Sequence, residues 1–540
     1  MNKKILTLVT CAIGLTACGS ENKEASKPVA GRLLSAHYEP ADICTDLIRS
    51  REKLPVDTKQ ISCSYFSAPM GKTIASGSYD QVNLFYVHYR SSAERLGTLF
   101  FHPGGPGETS SNFIDYLALL KDVDLDILKY YDVVTFDPRG TGYSALAHEL
   151  RTCLLPDQSL VKPAMKPHDV KALFVNAIKN DQTPASAYYD YGKRDQELVL
   201  QRCGHIMKLY APMFGTNTIV EDMETFRQFL NVDKITPIMT SYGPRVGAIY
   251  AYRYPERVAD IILDSPMSPA VSSYLDVIRK DGSNMQKIIA WRFGNEANTM
   301  AERIGREIRD TNAFVDDKGE SLNIESWIDI LKRSVDERYT PSTLSFWHKN
   351  DQQENIPEND SDDINEDDTE SNDDSSIESI MKSMSYTATH CADNSQPYSW
   401  SELKSFLEEP TFQGAGLYAF DRIFKDCADW PYNSDPVPEL HANSIVLNAG
   451  AVALVLGGEF DNKTPYYGVD DMIAAFGSSA RLVQVKQTIQ HGQIGQASCA
   501  DQELKTLLLG NKADIPKQQS CLPNTNSQLP TTSTSPVDDN

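Results

Sequence analysis

The chain has 540 residues, 41% of them apolar, with 25 Tyr, 19 Phe and 5 Trp. It can bury a sizeable core and is too aromatic for a wholly disordered or fibrous protein. Its 51 Lys and Arg stand against 74 Asp and Glu, a net charge of −23, which excludes a nucleic-acid binder working through a broad basic surface. The one membrane-like run is at the extreme N-terminus, so a polytopic membrane protein is excluded as well.

In chain order, a basic start (Lys3, Lys4) precedes an apolar run from Ile5 to Gly14, the pattern of an export signal and not of a spanning helix. Leu15-Thr16-Ala17-Cys18 resembles a bacterial lipobox. That resemblance implies cleavage before Cys18 and lipidation of its thiol, and Gly19 in place of Asp points to the outer membrane in a host that has one. We therefore expect a lipoprotein signal over 1–17, a polar tether over 18–32 and an exported, lipid-anchored protein of the cell envelope, at the outer membrane or cell surface.

Strands are expected at 82–89, 98–102 and 131–136, short apolar runs that each end in a Gly/Pro/Asp turn. Residues 218–230 read as a helix with Ile219, Met223, Phe226 and Leu230 on one face and Thr218 and Glu221 as a capping box. A strand at 235–240, a helix from Pro244 to about Tyr254 and a strand at 261–263 follow. Such alternation predicts a largely parallel, doubly wound sheet. It stops near 270. Residues 284–312 and 322–335 read as helices, and strands return only at 451–456 and 481–485. The division expected is a core over 33–269, a mostly helical cap over 270–440, the rest of the core over 441–522, and a disordered Thr/Ser/Pro-rich tail over 523–540. Inside the cap, residues 351–378 hold thirteen Asp and Glu and no Lys or Arg, the composition of a disordered surface loop.

Ten cysteines are present. With Cys11 in the signal and Cys18 lipidated, eight remain: Cys44, Cys63, Cys153, Cys203, Cys391, Cys427, Cys499 and Cys521. An even number in an exported chain suggests disulfides, and eight allow 105 pairings. Nearest-neighbour pairing gives 44–63, 153–203, 391–427 and 499–521. No zinc-ligand spacing occurs.

Three motifs carry chemistry, each at a strand end, where an open α/β sheet places its site. Ser241, in Met239-Thr240-Ser241-Tyr242-Gly243, is similar to the nucleophile elbow G-x-S-x-G, although Met239 stands where the first Gly belongs and Pro237 is unusual in a central strand. His102-Pro103-Gly104-Gly105-Pro106-Gly107 is a Gly-rich turn whose N–H groups can meet an oxyanion. Behind it, Asp137-Pro138-Arg139-Gly140 reads as a supporting loop. Asp461 follows the strand at 451–456 as a candidate orienting acid, and His491 follows the next strand as a candidate base. The order Ser, Asp, His is that of the α/β hydrolases.

Together these pieces, with Tyr-Pro-Glu-Arg-Val at 254–258 and Cys-Ala-Asp-Trp-Pro at 427–431, resemble the tripeptidyl aminopeptidase branch of the α/β-hydrolase serine peptidases, related to prolyl aminopeptidases, over about 40–522. The resemblance implies an α/β-hydrolase fold with a mostly parallel, doubly wound sheet and a largely helical cap. It also implies paired cysteines at the eight positions above. Ser241 would be the nucleophile, His491 the base and Asp461 its orienting partner, with the N–H groups of Gly104 and Tyr242 as the oxyanion hole. Glu108, where the family often has Gly, and Asp429 are candidates for binding the substrate α-ammonium. No metal or cofactor is implied, and the partners are peptides and, through Cys18, a membrane. An exopeptidase acting through an acyl-enzyme is the leading reading. An esterase on the same triad and a non-catalytic binding module are the alternatives. Oligomeric state, side-chain preference and the number of residues released per cut stay open.

Overall fold

The computed structural model describes residues 33–49, 56–71, 80–154, 202–271, 273–311, 314–315, 321–322, 324–336, 373–394 and 434–524, with isolated positions between 398 and 432. The signal, the tether, Cys18, Asp429, residues 351–372 of the acidic segment and the tail from 525 lie outside the described residues.

Ten strands make one sheet. They are β1 (Leu33–Leu34), β2 (Ile61–Pro69), β3 (Gln81–Tyr89), β4 (Gly97–His102), β5 (Tyr131–Phe136), β6 (Thr236–Thr240), β7 (Ile261–Asp264), β10 (Ala453–Gly458), β11 (Ala480–Val485) and β12 (Gln518–Cys521). A separate two-stranded ribbon joins β8 (Phe314–Val315) to β9 (Ser321–Leu322). The order is β1-β3-β5-β4-β6-β7-β10-β11-β12, with β2 also on β3. Only the β2–β3 and β3–β5 pairs of the large sheet are antiparallel. Every residue of β5 and β10 is buried, as expected of strands covered on both faces. Successive side chains divide between the two faces: Leu99 and Phe101 enter one core, Phe100 the other.

The helices supply the covering layers. Among the described residues they include α1 (Pro40–Arg49), α2 (Phe113–Val123), α3 (Leu125–Tyr130), α4 (Ala147–Leu154), α5 (Thr216–Phe229), α6 (Gly243–Arg253), α7 (Tyr274–Phe293), α8 (Asn295–Thr311), α9 (Ile324–Ser334), α10 (Asp373–Asp393), α11 (Tyr467–Phe476) and α12 (Ser498–Leu509). Ile219, Met223 and Phe226 of α5 share a core with Val246 and Ile249 of α6 and Met472 of α11. Leu117 and Leu120 of α2 meet Leu504 and Leu507 of α12 in the other core. Between β7 and β10 the described helices and strands are α7 to α10 and the small ribbon, an insertion between two strands of the sheet.

Several expectations change in detail. The helix expected over 284–312 is two: α7 begins at Tyr274, and Gly294, at φ +85°, separates it from α8, since a left-handed residue cannot continue a helix. The capping box at Thr218 is not used. Helix α5 starts at Thr216 after Gly215, and its first N–H is capped instead by Asp393 Oδ1 at 2.7 Å. The acidic segment does not stay a loop throughout, because α10 begins at Asp373. Pro237 is accommodated by a slip in register. Ile235 bridges Val258, whereas Ile238 pairs with Ile262, so one extra residue lies on the β7 side and the ladder is interrupted where the missing N–H would fall.

Candidate active site

Ser241 follows β6 and stands before α6 with φ +66°. A non-glycine residue in this left-handed region costs on the order of 1–3 kcal/mol and persists only where its surroundings over-determine it. The surroundings here are tight. A Cβ on Gly104 would lie 2.7 Å from both Ser241 Cβ and Thr240 O, so the Gly-rich turn packs directly on the nucleophile. Met239 fits where the elbow pattern has glycine because α6 gives way. Cβ atoms on Gly243 and Gly247 would come within 3.4 Å of Met239 Cβ and 2.9 Å of Met239 Cγ respectively.

Asp461 follows β10 and is 1% exposed. Its carboxylate accepts from the N–H groups of Lys463 (2.8 Å) and Thr464 (2.9 Å), and both its oxygens lie 3.0 Å from Nδ1 of His491, which follows β11. Burial alone pushes this carboxyl up, but His491 and the backbone donors outweigh it and hold it below the ordinary range. With the proton on Nδ1 facing Asp461, Nε2 carries the lone pair. Nε2 is buried and receives no hydrogen bond from Ser241 Oγ or any other described group, so proton transfer requires that contact to close when substrate is bound. Asn284 of α7 donates to Asp461 O at 2.8 Å, which fixes the acid's loop from above.

Asp264 and Ser265, at the end of β7, had no motif to announce them, yet they join all three loops. Asp264 O accepts from Ser241 N–H at 3.0 Å, and its carboxylate accepts from the N–H groups of Gln493 and Ile494 just beyond His491. Ser265 O accepts from Thr464 Oγ1 at 2.8 Å, and Ser265 Oγ accepts from Gly492 N–H at 2.9 Å. Burial pushes the Asp264 carboxyl up to about 6, against the pull of these donors and of His491. The sequence signal for them was only their place at the C-terminal end of a buried strand.

The oxyanion assignment needs one correction. The N–H of Gly104 donates to His102 Nδ1 at 3.1 Å. Burial pushes His102 down to about 4, which keeps the ring neutral and able to accept. The N–H groups left without a partner around this turn, among the described residues, include those of Gly105, Gly107 and Tyr242; Gly105 follows the glycine that packs on Ser241, and Tyr242 follows Ser241 itself. The supporting loop behaves as read: Asp137 accepts from Ser110 N–H at 2.5 Å and Tyr143 N–H at 2.9 Å, while Arg139 forks onto Asp222 of α5.

A substrate ammonium group at Glu108 would have to displace a cation already there. The Glu108 carboxylate pairs with Lys382 of α10 and accepts from Asn112 at 3.2 Å, because the insertion places a cation directly over the turn. Asp429 lies outside the described residues, two positions beyond Cys427. The cysteines form four disulfides, 44–63, 153–203, 391–427 and 499–521.

A family model described as the alpha/beta hydrolase fold matches residues 97–488. The tripeptidyl aminopeptidase of Streptomyces lividans is 24% identical over 494 residues, covering 86% of this chain and 84% of that protein. The serine protease Hip1 of Mycobacterium tuberculosis is 26% identical over 216 residues, 38% of this chain and 36% of that one. The proline iminopeptidase structure from Mycobacterium smegmatis covers 78% of this chain and 90% of its own, with 12% identity and a TM-score of 0.35.

Proposed function

The chain belongs to the alpha/beta hydrolase fold family, and from that premise we propose that it is a serine exopeptidase releasing short peptides from the free N-termini of oligopeptides. The observation that carries this reading is the Asp461–His491 pair, held in one tautomer by two 3.0 Å contacts at the strand ends adjoining the Ser241 elbow. The tripeptidyl aminopeptidase relative, aligned over most of both chains, supports the peptide substrate and the N-terminal direction.

In the proposed reaction, His491 Nε2 takes the Ser241 hydroxyl proton as Oγ attacks the scissile carbonyl. The imidazolium formed is stabilised by Asp461, which keeps its own charge. The tetrahedral oxyanion is received by the N–H groups of Tyr242 and Gly105. Collapse passes the proton to the leaving amine and leaves an acyl-enzyme, which water then hydrolyses by the same steps. We place the enzyme in the cell envelope, anchored through Cys18; the lipobox-like N-terminus and the paired cysteines support that placement.

The test is mass spectrometry of peptides incubated with the protein and with its Ser241→Ala variant. Each peptide is offered with a free and with an acetylated N-terminus, beside a short aryl ester. Ser241-dependent loss of N-terminal fragments from the free peptides alone is the expected result, and fragment length gives the register. Cleavage of the ester with every peptide intact would overturn the peptidase reading.

A further inference from the structure

We propose that Thr216 and Asp393 are positioning residues that fix the backbone N–H of Tyr242 for the oxyanion step, an inference that rests on the serine-hydrolase reading above. Tyr242 follows the nucleophile directly, and its phenol points away from the reaction into the protein. The phenol hydroxyl is bonded to Thr216 Oγ1. Thr216 in turn donates its hydroxyl to Asp393 Oδ2 at 2.5 Å and its N–H to Asp393 Oδ1 at 2.7 Å. The direction of this chain is set by chemistry. A carboxylate only accepts, so the Thr216 proton goes to Asp393, which leaves the Thr216 oxygen to accept from Tyr242. Tyr242, Thr216 and Asp393 are 1%, 0% and 3% exposed, so water does not compete for any of the three bonds.

The same ring is flanked edge-on by His102, at 5.9 Å between centroids, and by His390 of α10, at 6.1 Å. Residue 242 is therefore gripped at its far end while its backbone is pulled into the start of α6. That grip bears on the strained Ser241, whose left-handed φ needs neighbours to hold it. Asp393 is the last residue of α10, 177 positions from Thr216. An element of the insertion thus reaches under the nucleophile turn and sets the residue that supplies the oxyanion donor.

Asp393 also caps α5, so a purely structural role must be separable from a positioning one. The experiment uses the full chain and the variants Thr216→Val, Thr216→Ser, Asp393→Asn, Tyr242→Phe and the double variant Thr216→Val with Tyr242→Phe. It measures kcat and KM on a free-amine peptide and on an aryl ester, thermal midpoint, and affinity for a peptide boronate against affinity for the unreactive product peptide. Complete loss of an oxyanion donor typically costs a hundredfold or more, and a donor merely misaimed is expected to cost about tenfold in kcat, with KM nearly unchanged. Thr216→Val and Tyr242→Phe should each show that loss, the double variant no more than either, and Thr216→Ser should restore the rate. Asp393→Asn should also lower kcat. Boronate affinity, which reads the transition-state geometry, should fall in step while product affinity holds.

Unchanged kcat and boronate affinity in stable variants would overturn the proposal, as would losses that simply add. A wild-type protein that cleaves neither substrate, and whose Ser241 is not labelled by a fluorophosphonate, would overturn the serine-hydrolase reading itself and the positioning role with it.

Discussion

At the scale of single residues the site depends on how many donors converge on one buried oxygen pair. Asp461 accepts from Lys463, Thr464 and His491 together. An amide in its place would present an N–H₂ to one of those donors and favour the wrong imidazole tautomer. Asp461→Asn is therefore expected to lower kcat by about 10⁴ with the fold retained, as the corresponding change does in serine proteases; a loss under tenfold would show that another group orients His491. Met239 offers a second case. Removing its side chain should cost about 2–5 kcal/mol, since it is fully buried and leaves a cavity. Gly247→Ala should destabilise by about 1–3 kcal/mol through overpacking, because the new methyl meets Met239 Cγ at 2.9 Å. In Met239→Ala the tightest contact disappears, leaving Ile261 Cδ1 at 3.0 Å, so the double variant should be more stable than the sum of the single losses predicts. Additive losses in chemical denaturation would show that Gly247 is needed for some other reason. Ser241, Asp461 and His491 were legible because each lies in a short strand-end motif. Asp264, Thr216 and Asp393 were not, because their roles exist only through partners on distant segments, 229 residues away for the Asp264–Gln493 bond and 177 for Thr216–Asp393.

At the scale of elements, α10 couples the insertion to the sheet. Lys382 neutralises Glu108 beside the Gly-rich turn, His390 stands against Tyr242, Tyr274 and Tyr386, and Asp393 caps α5. The strands around the site were legible as short buried runs, whereas α10 was hidden because its start lies inside an acidic stretch that reads as unstructured. Its buried groups give a pH signature. Burial, with Arg245 adding in the same direction, pushes His390 down to about 3. The unfolded chain protonates this ring near 6.5, so its contribution to stability is complete above that pH and is lost as the pH falls from about 6.5 toward 3. Burial pushes Asp393 up to about 6 despite Arg245. The folded form then takes the proton first, and stability gained from it grows as pH falls from about 6 to 4. The thermal midpoint of His390→Phe should accordingly fall less between pH 6.5 and 4.5 than that of the wild type, and that of Asp393→Asn should fall more. The same slopes in all three proteins would refute both assignments. A deletion follows from the helix boundary. Removing 351–372 takes out ten acidic residues and should leave the midpoint nearly unchanged, whereas removing 351–378 also takes the opening of α10 and should lower it.

At the scale of the whole molecule, the sheet has two open ends, and each is tied to a helix by a disulfide. Cys63 of β2 is joined to Cys44 of α1, and Cys521, the last residue of β12, to Cys499 of α12. Edge strands present unpaired backbone groups and are where a sheet frays or pairs with another chain, so covalent ties there act on the least protected parts of the fold. The loops closed span 19 and 22 residues. On the chain-entropy account, each such tie contributes about 3 kcal/mol by restricting the unfolded chain. The Cys391–Cys427 bond is placed differently, two residues before Asp393 at the end of α10. The two kinds of disulfide should therefore separate in one experiment. Replacing both cysteines of either edge pair with serine should lower the thermal midpoint and leave kcat at 25 °C within about twofold, because those ties stabilise the fold without touching the reacting groups. Replacing Cys391 and Cys427 should lower kcat at the same temperature, since it frees the helix end that holds Thr216 and through it Tyr242. If the edge variants lose activity while the Cys391–Cys427 variant keeps it, the sheet ends and not the insertion govern the geometry of the nucleophile turn.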